Sequence, residues 1–179
     1  MSLELEIAAA TEADAPEIAA IYAHHVVHGV ATFELIPPDT AEIARRMTKV
    51  AEAGAPWLVA RGSGGEMVGY AYAGPFHPRE AYRFTCEDSI YLRHGRLGQG
   101  IGAALLAALI EAAEAAGFRQ MIAQITSGEG GSIPLHRRFG FIDAGRTRAV
   151  GWKHGRWLDV ITLQRALGLG DASPPEESK

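Results

Sequence analysis

Cysteine is nearly absent: Cys86 is the only one in 179 residues. One thiol excludes an internal disulfide and a cysteine-based zinc cage, and it fits a reducing compartment. Long apolar runs are missing too. The longest, Ala103 to Ile110, is too short to span a bilayer, and Glu111 and Glu114 break the apolar character directly after it. The first ten residues lack the basic region and apolar run of a signal peptide, so a cytoplasmic protein without a membrane partner is expected. There is no excess of positive charge: 17 Lys and Arg stand against 21 Asp and Glu, a net charge of -4. That balance offers no electrostatic reason for a nucleic-acid partner. No internal repeat is visible.

What remains is ordinary for a globular protein, with 47% apolar and 21% charged residues. The length suits one domain, expected over residues 1–168, with a polar tail at 169–179 expected to be disordered. Leu3, Leu5 and Ile7 alternate with Glu4 and Glu6, which predicts a half-buried strand. Thr11 with Asp14 reads as a capping box, with Pro16 in the first turn of a helix carrying Ile18, Ile21, Tyr22 and Val26. Residues 29–38 break that period. A second helix is predicted over 40–53, and strands over 57–60, 67–73 and 83–92. A glycine-rich turn at 95–102 then leads into a helix over 103–116, stopped by Gly117. A strand over 120–126, a short helix over 133–139 and a strand pair over 141–150 and 157–163 complete an α/β chain with a mixed sheet.

The turn Gly98-Gln99-Gly100-Ile101-Gly102, between a strand and a helix, is the most informative stretch. Glycines at alternate positions let the backbone curl with its N–H groups inward, and the helix dipole adds positive potential there. Both suit a pyrophosphate. A Walker A loop is excluded, because no Gly-Lys-Ser/Thr comes after the glycines. A dinucleotide fingerprint is formally matched by Gly98, Gly100 and Ala103, but the next strand, 120–126, lacks the acidic residue that motif expects. An acyl-CoA site and a turn without a ligand are the remaining readings.

The wider pattern decides among these. Glu87 to Leu92, the glycine turn, its helix and Leu135 to Phe141 follow the order of the GNAT superfamily. The segments Ile21 to His25, Ala31 to Glu34, Gly69 to Phe76, Ala81 to Arg83 and Val150 to Asp159 are more specific. They resemble the phosphinothricin and methionine-sulfoximine N-acetyltransferase group, and the resemblance covers about residues 7–167. It implies a GNAT fold, with a mixed, mostly antiparallel central sheet, a splayed strand pair and flanking helices. It also implies acetyl-CoA as co-substrate without a metal, a small amino-acid-like acceptor and a homodimer.

The same resemblance implies residue roles. Acetyl-CoA is expected against Ile90, Tyr91, Leu92, Arg96, Gly98, Gln99, Gly100, Ile101, Gly102, Ala103, Glu129 and Ser132. Leu97 stands where the group usually has Arg or Gln, with Arg96 beside it as a substitute charge, and Glu129 stands where the group has Asn. Glu87 is implied as general base, the backbone N–H of Leu92 as oxyanion donor, and His136 as the acid that protonates the thiolate. Phe33, Glu34, Arg79, Tyr82, Arg83, Lys153 and Trp157 are implied around the substrate, the cations for its carboxylate and any phosphinyl group. A Cys86 nucleophile is rejected: strand alternation turns Cys86 and Glu87 to opposite faces. His24 and His25 are rejected as a metal pair, because adjacent helix positions diverge. Two other functions stay open: acetylation of a protein or peptide amine, and a CoA-binding sensor without turnover.

Overall fold

The computed structural model describes residues 4–175; Leu3 of the expected first strand and the last four residues of the expected tail lie outside this range. Seven strands form one sheet in the order β1-β2-β3-β4-β5-β7-β6. They are β1 (Glu6–Ala9), β2 (Trp57–Arg61), β3 (Met67–Pro75), β4 (Thr85–Leu92), β5 (Gln120–Thr126), β6 (Ile142–Lys153) and β7 (Arg156–Ala166). The helices are α1 (Ala15–His28), α2 (Thr40–Glu52), α3 (Ile101–Ala115) and α4 (Ser132–Arg138). Every strand pair is antiparallel except β4 with β5.

Local chemistry explains the boundaries. The capping box forms: Thr11 N–H donates to Asp14 Oδ2 at 2.7 Å. It closes a short 3-10 turn, Glu12–Asp14, ahead of α1. The N-cap Asp39 accepts from Glu42 N–H at 2.7 Å and starts α2. Gly100 caps α3 in the left-handed conformation, φ +81°, so the helix begins two residues earlier than its apolar run suggested. Another 3-10 turn, Glu80–Tyr82, delays β4 until Thr85.

The helices cover both faces of the sheet. Ile18, Ile21, Tyr22 and Val26 of α1 pack on one side; Leu105, Leu106, Leu109 and Ile110 of α3 pack on the other. On β4 the alternation is plain. Tyr91 meets Tyr22 of α1 edge-on at 5.0 Å between ring centres. Asp88 points the other way and reaches His136 of α4.

The parallel pair β4–β5 is short. Only Thr85, Cys86 and Glu87 find partners, at Gln120, Met121 and Ile122. Beyond Glu87 the strands part, while β5 stays paired with β7 along its whole length. The last hairpin is longer than its sequence pattern suggested. In β6, residues 148–150 stand opposite Asp159 alone, a bulge that breaks the alternation. Ala149 there takes φ +48° and donates its N–H to Asp159 Oδ1 at 2.8 Å. Of the expected tail, Gly170 and Ser173 offer their carbonyls to Arg119 at 3.0 and 2.9 Å.

Candidate active site

The gap between β4 and β5 is a cavity of about 290 Å³. Consecutive residues of β4, Glu87 to Tyr91, form one wall and Ala123 to Thr126 of β5 another. Ala31, Thr32 and Tyr72 close it on the α1 side; Glu129, Ser132 and His136 close it on the α4 side.

Glu87 sits at the fork of the strands. Its Oε2 accepts from Gln124 Nε2 at 2.9 Å. Burial pushes its carboxyl above the usual carboxylate range; the Gln124 hydrogen bond works against this and the nearby charge of Asp88 works with it. A carboxylate with a raised pKa beside an open cavity is a better proton acceptor than an ordinary one. Cys86, its neighbour, is fully buried on the opposite face, and burial pushes its thiol up to about 12. Such a thiol is not a nucleophile.

Leu92 ends β4 at the mouth of the fork. Arg93 N–H donates to Val68 O of β3 at 2.9 Å. N–H groups alternate sides along a strand, so Leu92 N–H points away from β3, into the gap. Its carbonyl accepts from His25 Nε2 at 2.8 Å, which fixes the strand end from α1. That histidine, like Thr32 and Gln124, has a place in the site that spacing alone did not disclose. His25 lies in the motif Ile21 to His25, and that was its one signal.

Past Leu92 the chain turns through Gly95, Gly98 and Gly100, all with positive φ. No atom lies within 4 Å of where a Cβ of Gly98 or Gly100 would stand, so the turn leaves open space over the first N–H groups of α3. This is the geometry that accepts a phosphate. Arg96 is turned to Glu66, Nη2 to Oε1 at 2.8 Å, and Leu97 is exposed. Gln99 Nε2 donates to Gly95 O at 3.3 Å within the turn. Gly102 packs close to Leu135, so the start of α3 lies against α4.

The residues expected around the substrate are placed unevenly. Lys153 is buried and donates from Nζ to Thr32 O at 2.7 Å; burial lowers its pKa and Glu34 raises it. Phe33 lies across Gly151, its ring filling the space a Cβ there would need. Glu34 is held by Arg46 Nη1 at 2.6 Å and the Tyr22 hydroxyl at 2.9 Å. Arg79, Tyr82 and Arg83 lie in the β3–β4 connection, with Tyr82 against Phe76 and Arg83 over Phe84. Trp157 is exposed and meets Trp152 edge-on. None of these seven lines the cavity, whereas Ile90, Tyr91, Glu129, Ser132 and His136 do. Among the described residues, no group of three or more His, Cys, Asp or Glu could hold a metal ion, and no helix is long and apolar enough to cross a membrane.

Known proteins share this architecture. Residues 7–162 match the acetyltransferase (GNAT) domain family. The chain is 49% identical over 164 residues to phosphinothricin N-acetyltransferase of Alcaligenes faecalis, covering 91% of this chain and 83% of that one. It is 43% identical over 162 residues to L-methionine sulfoximine/L-methionine sulfone acetyltransferase of Pseudomonas aeruginosa, covering 90% and 94%. The crystal structure of a phosphinothricin acetyltransferase from Sinorhizobium meliloti, in complex with acetyl-CoA, superposes with a TM-score of 0.94 at 47% identity, covering 99% of this chain and 95% of that one. By both sequence and fold, the chain belongs to the GNAT acetyltransferases.

Proposed function

We propose that this protein moves the acetyl group of acetyl-CoA to the α-amine of a small amino-acid analogue of the phosphinothricin, methionine sulfoximine or methionine sulfone type, by direct attack. The observation that carries the reading is the two-sided fork of β4 and β5. The glycine turn and α3 supply N–H groups on the α4 side for the pyrophosphate. The fork admits the pantetheine arm, and Glu87 faces the opposite side, where an amine arrives. The A. faecalis and P. aeruginosa relatives act on such analogues, and the S. meliloti enzyme holds acetyl-CoA.

The roles follow from chemistry. Ile90, Tyr91, Glu129 and Ser132 flank the arm, and Gly98 to Ala103 hold the phosphates. Glu87 removes a proton from the ammonium group, directly or through water. The free amine attacks the thioester carbonyl, whose developing negative charge meets Leu92 N–H. His136, on the α4 side, belongs to the departing thiol. Lys153 and the cations of the 79–83 connection serve the substrate's carboxylate and polar head. We also assign a cytoplasmic location and a homodimer. The exposed Val150, Trp152 and Trp157 of the β6–β7 hairpin support the dimer, and sedimentation of a Trp152→Glu, Trp157→Glu variant checks it.

The test is thiol release from acetyl-CoA with a panel of acceptors. Phosphinothricin or methionine sulfoximine should be acetylated, plain methionine far less, and peptides least. A site built to hydrogen-bond a polar head rejects analogues without one. Equal rates on methionine and its sulfoximine would overturn the substrate assignment. Activity confined to peptides would make the enzyme a protein acetyltransferase, and acetyl-CoA binding without turnover would make it a sensor. Expression in a glufosinate-sensitive host reads out herbicide resistance.

A further inference from the structure

The α4 side of the fork contains an ion pair that the acceptor chemistry does not explain. The side chains of His136 and Asp88 are only 4% and 3% exposed. His136 Nδ1 lies 2.7 Å from the Ser132 carbonyl oxygen, which only accepts, so Nδ1 carries a proton. The Ser132 hydroxyl is a longer partner of the same nitrogen, at 3.3 Å. His136 Nε2 lies 2.9 Å from Asp88 Oδ2. A neutral imidazole protonated at Nδ1 would set a lone pair against a carboxylate there. The hydrogen-bond pattern therefore needs a second proton, held between Nε2 and Oδ2. The ring of Phe141, edge-on at 4.9 Å between ring centres, packs against the imidazole.

Asp88 has one more unusual feature. Its Oδ1 is buried and has no hydrogen-bond partner, although Asp88 lines the cavity. A buried acceptor left open in a cavity wall expects a donor from a ligand. Packing alone does not call for the pair, since apolar side chains of similar volume stabilise a core as well or better. Alternation also matters: Asp88 is the residue after Glu87, so the pair faces the α3–α4 side of the sheet and Glu87 the other.

We propose that Asp88 is a positioning residue for the thiol half of the reaction, holding His136 as a doubly N–H-donating imidazolium so that the pair carries the proton that the departing CoA thiolate takes. This rests on the acetyl-transfer reading above. The C–S bond breaks with its electron pair going to sulfur, and sulfur takes the proton held between Nε2 and Oδ2. The pair is left as neutral imidazole beside carboxylate. It recovers a proton from water, balanced by the one that Glu87 took from the amine and releases to water.

On α4 the residues after His136 are Arg137, exposed and paired with Asp143 at 2.9 Å, and Arg138, also exposed. On β4 the titratable neighbours are Cys86 and Glu87. Glu129 lines the cavity from the β5–α4 loop, and β5 contributes only Ala123, Gln124, Ile125 and Thr126 there. Residues 101–110 of α3 carry no charge. Burial works against the charged imidazole, but the Asp88 hydrogen bond and charge, with the Ser132 carbonyl, outweigh it and hold the His136 pKa above its ordinary value.

The test is Asp88→Asn in the full-length enzyme, with activity and nitrogen-15 spectra of the histidine rings read together. Asn fits the same space and its amide can donate to a neutral His136 Nε2. Turnover should fall roughly 10²-fold, within the range for acid–base catalysis. The alkaline limb of the pH profile should move to lower pH, with the Michaelis constant for acetyl-CoA nearly unchanged. At pH 6.5, where an ordinary imidazole is half ionised, most wild-type His136 should hold both ring protons; in the variant most should hold only the one on Nδ1. A lowered melting temperature with an unchanged pH profile would reduce Asp88 to a packing role and overturn the proposal. So would a wild-type His136 with one ring proton at that pH, a result that stands even if Asp88→Asn does not fold. Full activity of Glu87→Gln, by contrast, would remove the acceptor-side base and leave the pair intact.

Discussion

The two faces of β4 differ in how they treat a carboxylate. Glu87, on the α1 side, has an open cavity before it and a single neutral amide, Gln124, as partner. Asp88, one residue on, is more deeply buried, under α4 and paired with a histidine. The difference is set by strand alternation, which sends neighbouring side chains to opposite sides at no cost in backbone geometry. One strand thereby offers a weakly held proton acceptor to the amine and a tightly held proton to the thiol. Burial penalises a charge on either face; what separates the two is whether a cation is supplied. Adjacency in sequence therefore says little about shared function in a sheet.

The largest expected effect breaks the acceptor face. Glu87→Gln should lower turnover about 10²–10⁴-fold, the usual loss for a general base. Because the Glu87 carboxyl is held above the usual range, the wild-type rate should fall as pH drops through that raised value. The deficit of the variant should shrink toward alkaline pH, where the amine is already neutral; a deficit constant with pH would point to a positional role.

Next comes Gly100→Val. A β-branched residue at φ +81° costs about 1–3 kcal/mol of strain and obstructs the N–H groups of α3. If the turn shifts to relieve that strain, the Michaelis constant for acetyl-CoA should rise about 5- to 140-fold, by that energy at about 1.4 kcal/mol per decade. An unchanged constant would place the phosphates elsewhere.

His25→Ala then tests the strand end. It removes the donor to Leu92 O, a bond worth about 1 kcal/mol net. Turnover should drop several-fold at constant Michaelis constants, because the oxyanion donor on the same residue loses its fixed direction. Loss of stability alone, read by thermal melting, would leave His25 as a packing residue.

The subtlest measurement sharpens the contrast itself and follows stability against pH. The raised pKa of Glu87 means that its ionised form is costly in the fold, so Glu87→Gln should raise Tm at neutral pH and lose that advantage as pH falls below the carboxylate range. His136 is also raised, but as a cation: the pair stabilises the fold fully below the ordinary imidazole value of 6.5 and loses this as pH rises through the elevated one. The Tm deficit of Asp88→Asn should therefore narrow with increasing pH. Opposite signs for two neighbouring carboxylates, read by calorimetry across pH 5 to 9, are the expected result; equal signs would erase the distinction between the faces.

Much of this was legible before any coordinates. Hydrophobic periodicity and turn residues placed all seven strands and four helices in order, because those signals are local. Thr11 with Asp14 was readable as a cap for the same reason. Boundaries slipped where a special backbone intervened: Gly100 in the left-handed region started α3 early, and the bulge at 148–150 hid the length of β6. The links that build the site were not readable from spacing. His136 with Asp88, Gln124 with Glu87, and His25 with Leu92 lie 48, 37 and 67 residues apart. One long-range link does have a local clue. Once Cys86 and Glu87 are assigned to opposite faces, Asp88 falls on the buried face with Cys86, and a buried carboxylate demands a partner.

The unequal pairing of β5 has a consequence for how the molecule comes into being. That strand has three register pairs with β4 and seven with β7, which follows the other six strands in chain order. Lys153, which ends β6, ties down Thr32 from 121 residues away. A nascent chain that has emerged only as far as α4 therefore owns its glycine turn, its base and its buried ion pair, yet lacks the strand that keeps the fork open and the lysine that secures its far wall. Competence for catalysis then waits on one step, when the β6–β7 hairpin slots in beside β5. Premature termination before Arg156 should yield inert chains rather than partly active ones.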